Sequence, residues 1–405
     1  MDLKSNFPFW LVKNGLLATY PPLEHDEACD VLVLGAGITG AIFAERLSRE
    51  GFDVVVLDRR DVGQGSTSAS TALLQYEIDT HLTDLTKLVG RAAAERAYQL
   101  SVASIDTLER LALHSPVDCG FRRKRSVYAA STEADAAGLR LELEARLACG
   151  IQAAWVGPRE LHDQFAVDYP GAIVSEAAAS CDPYRLAHGL LQKAQERGTR
   201  VFDRTEVTVF EPCGGGGDSA QVVVSTDRGP RVRAKQVVFA SGYESQQYLR
   251  ERVVTFKSTY ALVTQPLPSV APWPEDCMFW ESARPYLYLR ATDDRRLLAG
   301  GEDDDFHSPA RRDARLGTKA DKILERLRTM FPTLALETEF AWAGTFGETQ
   351  DGLAYIGRPA EMPWGNFALG FGGNGITFSA IAADIIADEL CGRPNSDAEI
   401  FRFGR

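Results

Sequence analysis

Two short apolar runs, Val31–Leu34 and Asp53–Leu57, flank a stretch of helical period, Thr39–Glu50. Runs that do not alternate with polar residues predict strands covered on both faces, as in a parallel sheet. Leu82–Leu113 places Leu85, Leu88, Val89, Ala92 and Ala93 at helical spacing. Ser126–Ala130 predicts a strand, and Glu133–Ala148 a helix ended by Gly150. Pro183–Glu196 predicts a helix stopped at Gly198, and Val237–Ala240 a short strand. From Val253 to about Gly301 the pattern is strand-rich, with alternation through Tyr286–Arg290. Helix returns at Lys319–Met330 and Ile376–Leu390, the latter closed by Gly392 and Pro394. Val207–Phe210 and Gln221–Ser225 read as a hairpin joined through the glycine-rich Cys213–Ser219. A polar arm dotted with aromatics precedes all of this, to about Glu27.

A chain of 405 residues is more than one core usually organises, so two structural units are expected. The net charge of −12 excludes a general nucleic-acid binder, which needs a basic face to displace counterions. It also disfavours anionic membrane surfaces, Arg122–Arg125 being a local basic exception. Seven dispersed cysteines without a Cys-x-x-Cys pair read as reduced thiols, with no disulfide framework and no metal site. Met1–Tyr20 lacks the apolar core of a signal peptide, and no run is long enough to span a bilayer. A cytoplasmic protein is the expectation.

Chemistry enters at Gly35-Ala36-Gly37-Ile38-Thr39-Gly40, between the first strand and the first helix. Glycines there permit a tight turn, close approach of a pyrophosphate and close helix–sheet packing. The helix N-terminus offers free N–H groups and partial positive charge to phosphates. Asp58 ends the second strand, 23 positions after Gly35, where a carboxylate accepts ribose hydroxyls. An ADP-containing cofactor follows, FAD and NAD remaining alternatives. Gly63–Ser70 is a second small-residue loop suited to a pyrophosphate or ribityl chain, and Asp351-Gly352 with Gly370–Thr377 leads into the final helix. That helix N-terminus would stabilise negative charge on a flavin pyrimidine.

These segments in this order resemble the D-amino-acid oxidase superfamily of FAD oxidoreductases, which includes glycine oxidase, sarcosine oxidase and gamma-glutamylputrescine oxidase. The carrying stretches are DVLVLGAGITGA, VVVLDRRDVGQGST, CDPYRLAHGL, RTEVTVFE, VVFASG, LLAGGE, AWAGTFGETQDGLAYIGRP and NFALGFGGNGITFSAIAADIIADEL. The resemblance implies an α/β fold: a Rossmann-like, GR2-type FAD-binding domain with an inserted α+β substrate domain on a mostly antiparallel sheet. Residues 1–27 would form an arm. Residues 28–112, 180–255 and 340–405 would build the FAD domain, and 113–179 with 256–339 the substrate domain. It further implies that Val207 gives its backbone to adenine and that Ala240, Ser241 and Gly242 line the ADP site. Arg59, Gly65, Ser66 and Thr67 join the cofactor set. Gly372, Gly373, Asn374, Gly375, Ile376 and Thr377 would cover the pyrimidine and ribityl side.

Two departures matter. No histidine lies within Gly65–Leu74, and Cys277 is the only cysteine between Val270 and Leu390, so FAD is expected to be non-covalent. The family's usual Arg/Asn-Gly after the serine-rich loop is replaced by Ser70–Gln75, which leaves the reaction class open.

For substrate, Arg290 resembles the carboxylate-binding arginine of glycine oxidase, and a guanidinium fork holds a carboxylate bidentately. Tyr288 and Tyr260 are candidates to shape the site, and Lys257 to promote oxygen reduction. Asp303–Asp305 would favour a cationic substrate if it faced the entrance. The expected reaction is oxidation of a C–N bond in an amine or amino acid by hydride transfer to flavin N5, the imine then hydrolysing. Oxygen or another acceptor reoxidises the cofactor. The alternatives are a 2-hydroxy acid or polyol phosphate dehydrogenase and a non-catalytic flavin-binding subunit.

Overall fold

The computed structural model describes residues 2–5, 7–213 and 221–405. The tip of the expected Cys213–Ser219 connection lies outside them. Its flanks, Val207–Cys213 and Gln221–Thr226, do pair antiparallel.

The first sheet runs Tyr355–Gly357, Gly365–Leu369, Arg231–Phe239, Glu27–Leu34, Val54–Leu57, Arg200–Phe202, with the hairpin attached to Arg231–Phe239. The strands from Gly365–Leu369 to Arg200–Phe202 are all parallel. The period of two splits one strand between two cores. Val31 and Val33 pack with the helices Ile38–Arg49, Pro183–Gln195 and Gly375–Leu390, while Leu32 and Leu34 pack on the hairpin side. Burial on both faces is why these strands read as unbroken apolar runs.

The second sheet runs Thr338–Glu348, Thr255–Thr264, Leu297–Asp304, Leu287–Ala291, Cys277–Glu281, Arg122–Ala129, Ala172–Ser180, Leu73–Gln75. It is antiparallel except where Cys277–Glu281 meets Arg122–Ala129. The helix Pro309–Met330 packs against one face, burying Leu316, Ile323 and Leu327.

Two segments sit with a different sheet from the one expected. Thr338–Glu348 pairs along its length with Thr255–Thr264, and Leu73–Gln75 with Ala172–Ser180, so both belong to the second sheet. Partner choice depends on hydrogen bonding to strands far along the chain. The helix expected at Lys319 begins at Pro309, because its polar first turns carry no apolar period. The arm is also docked: Lys4 bridges Gly344, and the short helix Phe9–Asn14 buries Phe9 and Trp10. Trp10 Nε1 donates to Ser70 O at 2.7 Å and Trp342 Nε1 to Ala69 O at 2.8 Å, so two indoles hold the small-residue loop.

His188, on Pro183–Gln195, is buried between the rings of Tyr20 and Tyr184. Burial pushes its pKa down to about 4. The unfolded chain binds the proton more readily, so the stability present above about pH 6.5 is lost as pH falls toward 4. Between pH 7 and pH 5 this contributes on the order of 2 kcal/mol. His188→Phe should therefore show a smaller drop in Tm over that interval; an unchanged drop would remove His188 as its source.

Candidate active site

A cavity of about 290 Å³ is lined from both sheets. At one end the strand Glu27–Leu34 runs into Gly35, whose φ of +106° suits glycine, and a Cβ there would lie 2.6 Å from Ala240 O. A Cβ on Gly40 would lie 1.8 Å from Gly35 O. The turn can form only with the helix pressed against it. Gly37 caps Ile38–Arg49 without a side-chain bond, and the first turn carries no acid. Its positive end therefore opens into the cavity.

Ile38 N–H donates to Thr67 Oγ1 at 2.8 Å, which hooks the Gly63–Ser70 loop onto that helix end. Asp58 accepts from Ala36 N–H at 2.7 Å and from Arg60 N–H at 2.8 Å. Burial raises its pKa to about 6 while both bonds pull it down. The carboxylate thus braces the turn as well as facing the cavity. Buried Glu244 accepts from Arg59 and Arg60 at this end. Arg60 and Glu244 are not among the residues expected from sequence: they meet across 184 positions, and no local pattern announces that contact.

The helix Gly375–Leu390 supplies a second N-terminus without a side-chain cap or an acidic first turn. Asn374 Nδ2 donates to Gln75 O at 3.2 Å and Glu77 O at 2.9 Å, and Gly373 N–H to Asp79 Oδ2 at 2.9 Å. These bonds tie the Gly370–Thr377 turn to the segment Leu73–Asp79. Thr39 and Ser379 join the two helices at 2.8 Å.

Leu73–Asp79 alternates. Leu73, Gln75, Glu77 and Asp79 line the cavity; Leu74 touches it too but packs, with Tyr76 and Ile78, into the core. Glu77 is 3% exposed, accepts from Ser126 Oγ at 2.7 Å and leaves Oε2 without a partner among the described residues. Burial pushes its pKa up, with Arg146 pulling down. Thr259, Trp280, Tyr286 and Tyr288 form the facing wall, Trp280 stacked on Tyr128 at 3.6 Å. Beside Thr259 and Tyr286 stands Asp303, raised to about 6 by burial, its Oδ1 unpartnered among the described residues.

Of the cofactor residues expected, Gly35, Gly37, Ile38, Thr39, Asp58, Arg59, Gly65, Ser66, Thr67, Val207, Ala240, Ser241 and Gly242 line the cavity, as do Gly372 to Thr377. Ala36 and Gly40 do not line it; they support the turn from behind. Two uncapped helix ends with a glycine cradle at one of them form a donor set that fits FAD.

Of the four residues expected to be catalytic, only Tyr288 lines the cavity. Arg290 shares its strand face but lies farther along, 3% exposed, covered by the Trp10 ring at 5.4 Å. Its guanidinium donates to Thr71 O and Cys181 O, and burial lowers its pKa to about 10. Tyr260 points to the opposite face, donating to Asp304 at 2.9 Å near Lys319. Its neighbour Thr259 faces the cavity instead. Lys257 lies outside the lining, paired with Glu348 at 2.8 Å and Asp305 at 3.3 Å. Period two explains the miss at Tyr260: a strand's facing set is decided by one residue of register.

Gamma-glutamylputrescine oxidoreductase of Escherichia coli is 26% identical over 95% of this chain and 88% of its own length. Glycine oxidase of Geobacillus kaustophilus is 26% identical over 89% of this chain and 92% of its own. The crystal structure of the latter superposes with a TM-score of 0.75 at 21% identity, covering 94% of this chain and 99% of that one. L-amino acid deaminase from Proteus vulgaris superposes at 0.76 and 18% identity, covering 97% of each chain. The sequence model described as FAD dependent oxidoreductase (DAO) matches residues 30–389. With nearly the whole chain matched and a cavity that fits the cofactor, this protein belongs to the DAO family of FAD-dependent oxidoreductases.

Proposed function

We propose that the protein oxidises the C–N bond of an amine or amino acid, using tightly bound, non-covalent FAD. The observation that carries this reading is the lining itself. Among the described residues that line the cavity none is a histidine or a cysteine. An alcohol substrate needs a general base, most often histidine, to take its hydroxyl proton, and at the Glu77 end the described lining offers only carboxylates and tyrosines for that task, whereas an amine lone pair assists loss of hydride directly. The same lining supports non-covalent FAD, since the family's attachment residues are cysteine and histidine. The names of the relatives, gamma-glutamylputrescine oxidoreductase and glycine oxidase, agree with a C–N substrate.

FAD, when bound, supplies the two-electron acceptor. The substrate C–H bond breaks with its electron pair leaving as hydride, the nitrogen lone pair forms C=N, and an N–H proton passes to water. Water then adds to the imine and releases a carbonyl compound and the amine fragment. The residues of the chain orient and exclude water: Thr259, Trp280, Tyr286 and Tyr288 close one side, and Gln75, Glu77 and Asp79 the other.

Two measurements test this. Acid precipitation should release all the flavin into the supernatant; flavin retained in the pellet would reject non-covalent binding. Anaerobic mixing with amines and amino acids should bleach the flavin, while 2-hydroxy acids and polyol phosphates should not. Bleaching by the alcohols alone would overturn the reading, and no bleaching by any of them would favour a subunit without turnover. Re-admitting air then separates an oxidase from a dehydrogenase.

A further inference from the structure

We propose, resting on that reading, that the substrate is an alkylamine with no carboxylate on the carbon bearing the nitrogen. It enters as its ammonium cation held by Glu77 and Asp79, with Asp303 adding negative charge from behind Thr259 and Tyr286. It passes one N–H proton to a carboxylate of this pair before the C–H bond breaks, which frees the lone pair.

The cations of the lining stand at one end. Arg59 and Arg60 are its only arginines or lysines among the described residues, and both meet Glu244 at the ADP end. The opposite end carries Glu77 and Asp79; Asp303 stands outside the lining, behind Thr259 and Tyr286. Glu77, 3% exposed, leaves Oε2 there without a partner among the described residues, and Asp303 does the same at Oδ1 behind the wall. A buried acceptor without a donor is costly unless a ligand supplies one. An ammonium supplies up to three donors with a positive charge. The aromatic faces of Trp280, Tyr286 and Tyr288 suit the same cation and its alkyl chain.

An α-carboxylate in this place would meet like charge, with no arginine or lysine among the described lining residues at this end to bind it. Arg290, the expected partner, donates to backbone carbonyls beneath Trp10. Arg146 stands behind Glu77 at 3.9 Å, bonded to Glu142 and Tyr76. Arg284 is exposed, on the ring of Tyr286 at 4.9 Å, and is not part of the lining. A carboxylate remote from the reacting amine remains compatible with it.

The test uses the FAD-loaded protein in two arms. In the first, butyltrimethylammonium, which has no lone pair to be oxidised, is titrated while the flavin absorption spectrum is followed. The wild type should bind it, and butanoate should not. Asp79→Asn should weaken binding about tenfold or more, and Asp303→Asn, which removes a charge behind the wall, by a smaller factor. The amide introduced by Asp79→Asn retains an oxygen for Gly373 N–H, and an unchanged Tm for either variant confirms that folding is intact. In the second arm, butylamine and 2-aminopentanoate compete as anaerobic reductants. Butylamine should be favoured in kcat/KM, and both variants should raise its KM. Bleaching by 2-aminopentanoate in preference to butylamine would overturn this inference and leave C–N oxidation standing. Binding of butyltrimethylammonium without bleaching by either compound would support the cation site and sink the oxidation reading. Neither binding nor bleaching would overturn both.

Discussion

Gly40→Val should purify colourless, with a flavin-to-protein ratio near zero against near one for the wild type. A Cβ at this position lies 1.8 Å from Gly35 O, a backbone atom that cannot swing aside. The helix Ile38–Arg49 must then move off the turn, and Ala41, Ala44 and Leu47 leave their packing in the first core. Overpacking of this kind costs about 1–3 kcal/mol or more. The larger consequence is for binding, because the same helix end opens its N–H groups into the cavity, where they would meet the pyrophosphate, and is hooked to Thr67. Far-UV circular dichroism separates loss of flavin from loss of fold. A folded variant that keeps full flavin would show that the turn tolerates displacement and that the cofactor is gripped elsewhere.

Arg146→Met should lower stability by about 3–5 kcal/mol, through an uncompensated buried charge. Arg146 and Glu142 are fully buried, joined at 2.9 Å, and Arg146 also donates to Tyr76 OH at 3.0 Å. The rings of Tyr76, Tyr98 and Tyr128 lie within 6.0 Å of the guanidinium. Glu142 accepts from the N–H groups of Leu82 and Thr83, which caps the helix Leu82–Val89 with a negative charge. Removing Arg146 strands both Glu142 and Glu77 without a counter-charge. Methionine keeps most of the volume, so the loss is electrostatic rather than a cavity. Arg146→Met combined with Glu142→Gln should cost less than the sum of the single changes, since the two groups share one interaction. Thermal unfolding of the four proteins reads this directly. Additive shifts, or a single-variant shift too small to resolve, would mean that the pair is not what holds this corner.

The parts of the site that are legible without the fold are those made by contiguous chain. Gly35–Gly40, Asp58 and Gly372–Thr377 each depend on a turn, its glycines and the helix that follows, and local residues determine such geometry. The alternating middle of the chain is legible as strand but not as to which face meets substrate. Tyr260 stands out in the sequence over Thr259, yet an aromatic residue suits either a pocket wall or a core, and here it takes the core. Glu77 and Asp79 follow Ser70–Gln75, the stretch whose departure from the family pattern leaves the chemistry open. Their alternation with Leu74, Tyr76 and Ile78 is the available signal, a weak one because only Leu73–Gln75 of that segment pairs as a strand.

What the sequence alone determined is the cofactor's phosphate grip and the parallel sheet beneath it. The strand, turn, helix and acid are successive in the chain, and their geometry follows from local sterics and helix electrostatics. The tertiary structure decided the substrate end. Trp10 covers Arg290 from the N-terminal arm, and sheet register brings Asp303 behind the wall opposite Asp79, within its electrostatic reach. The charge of that pocket is a sum over residues that only meet once the second sheet has closed, and no window of sequence contains them together.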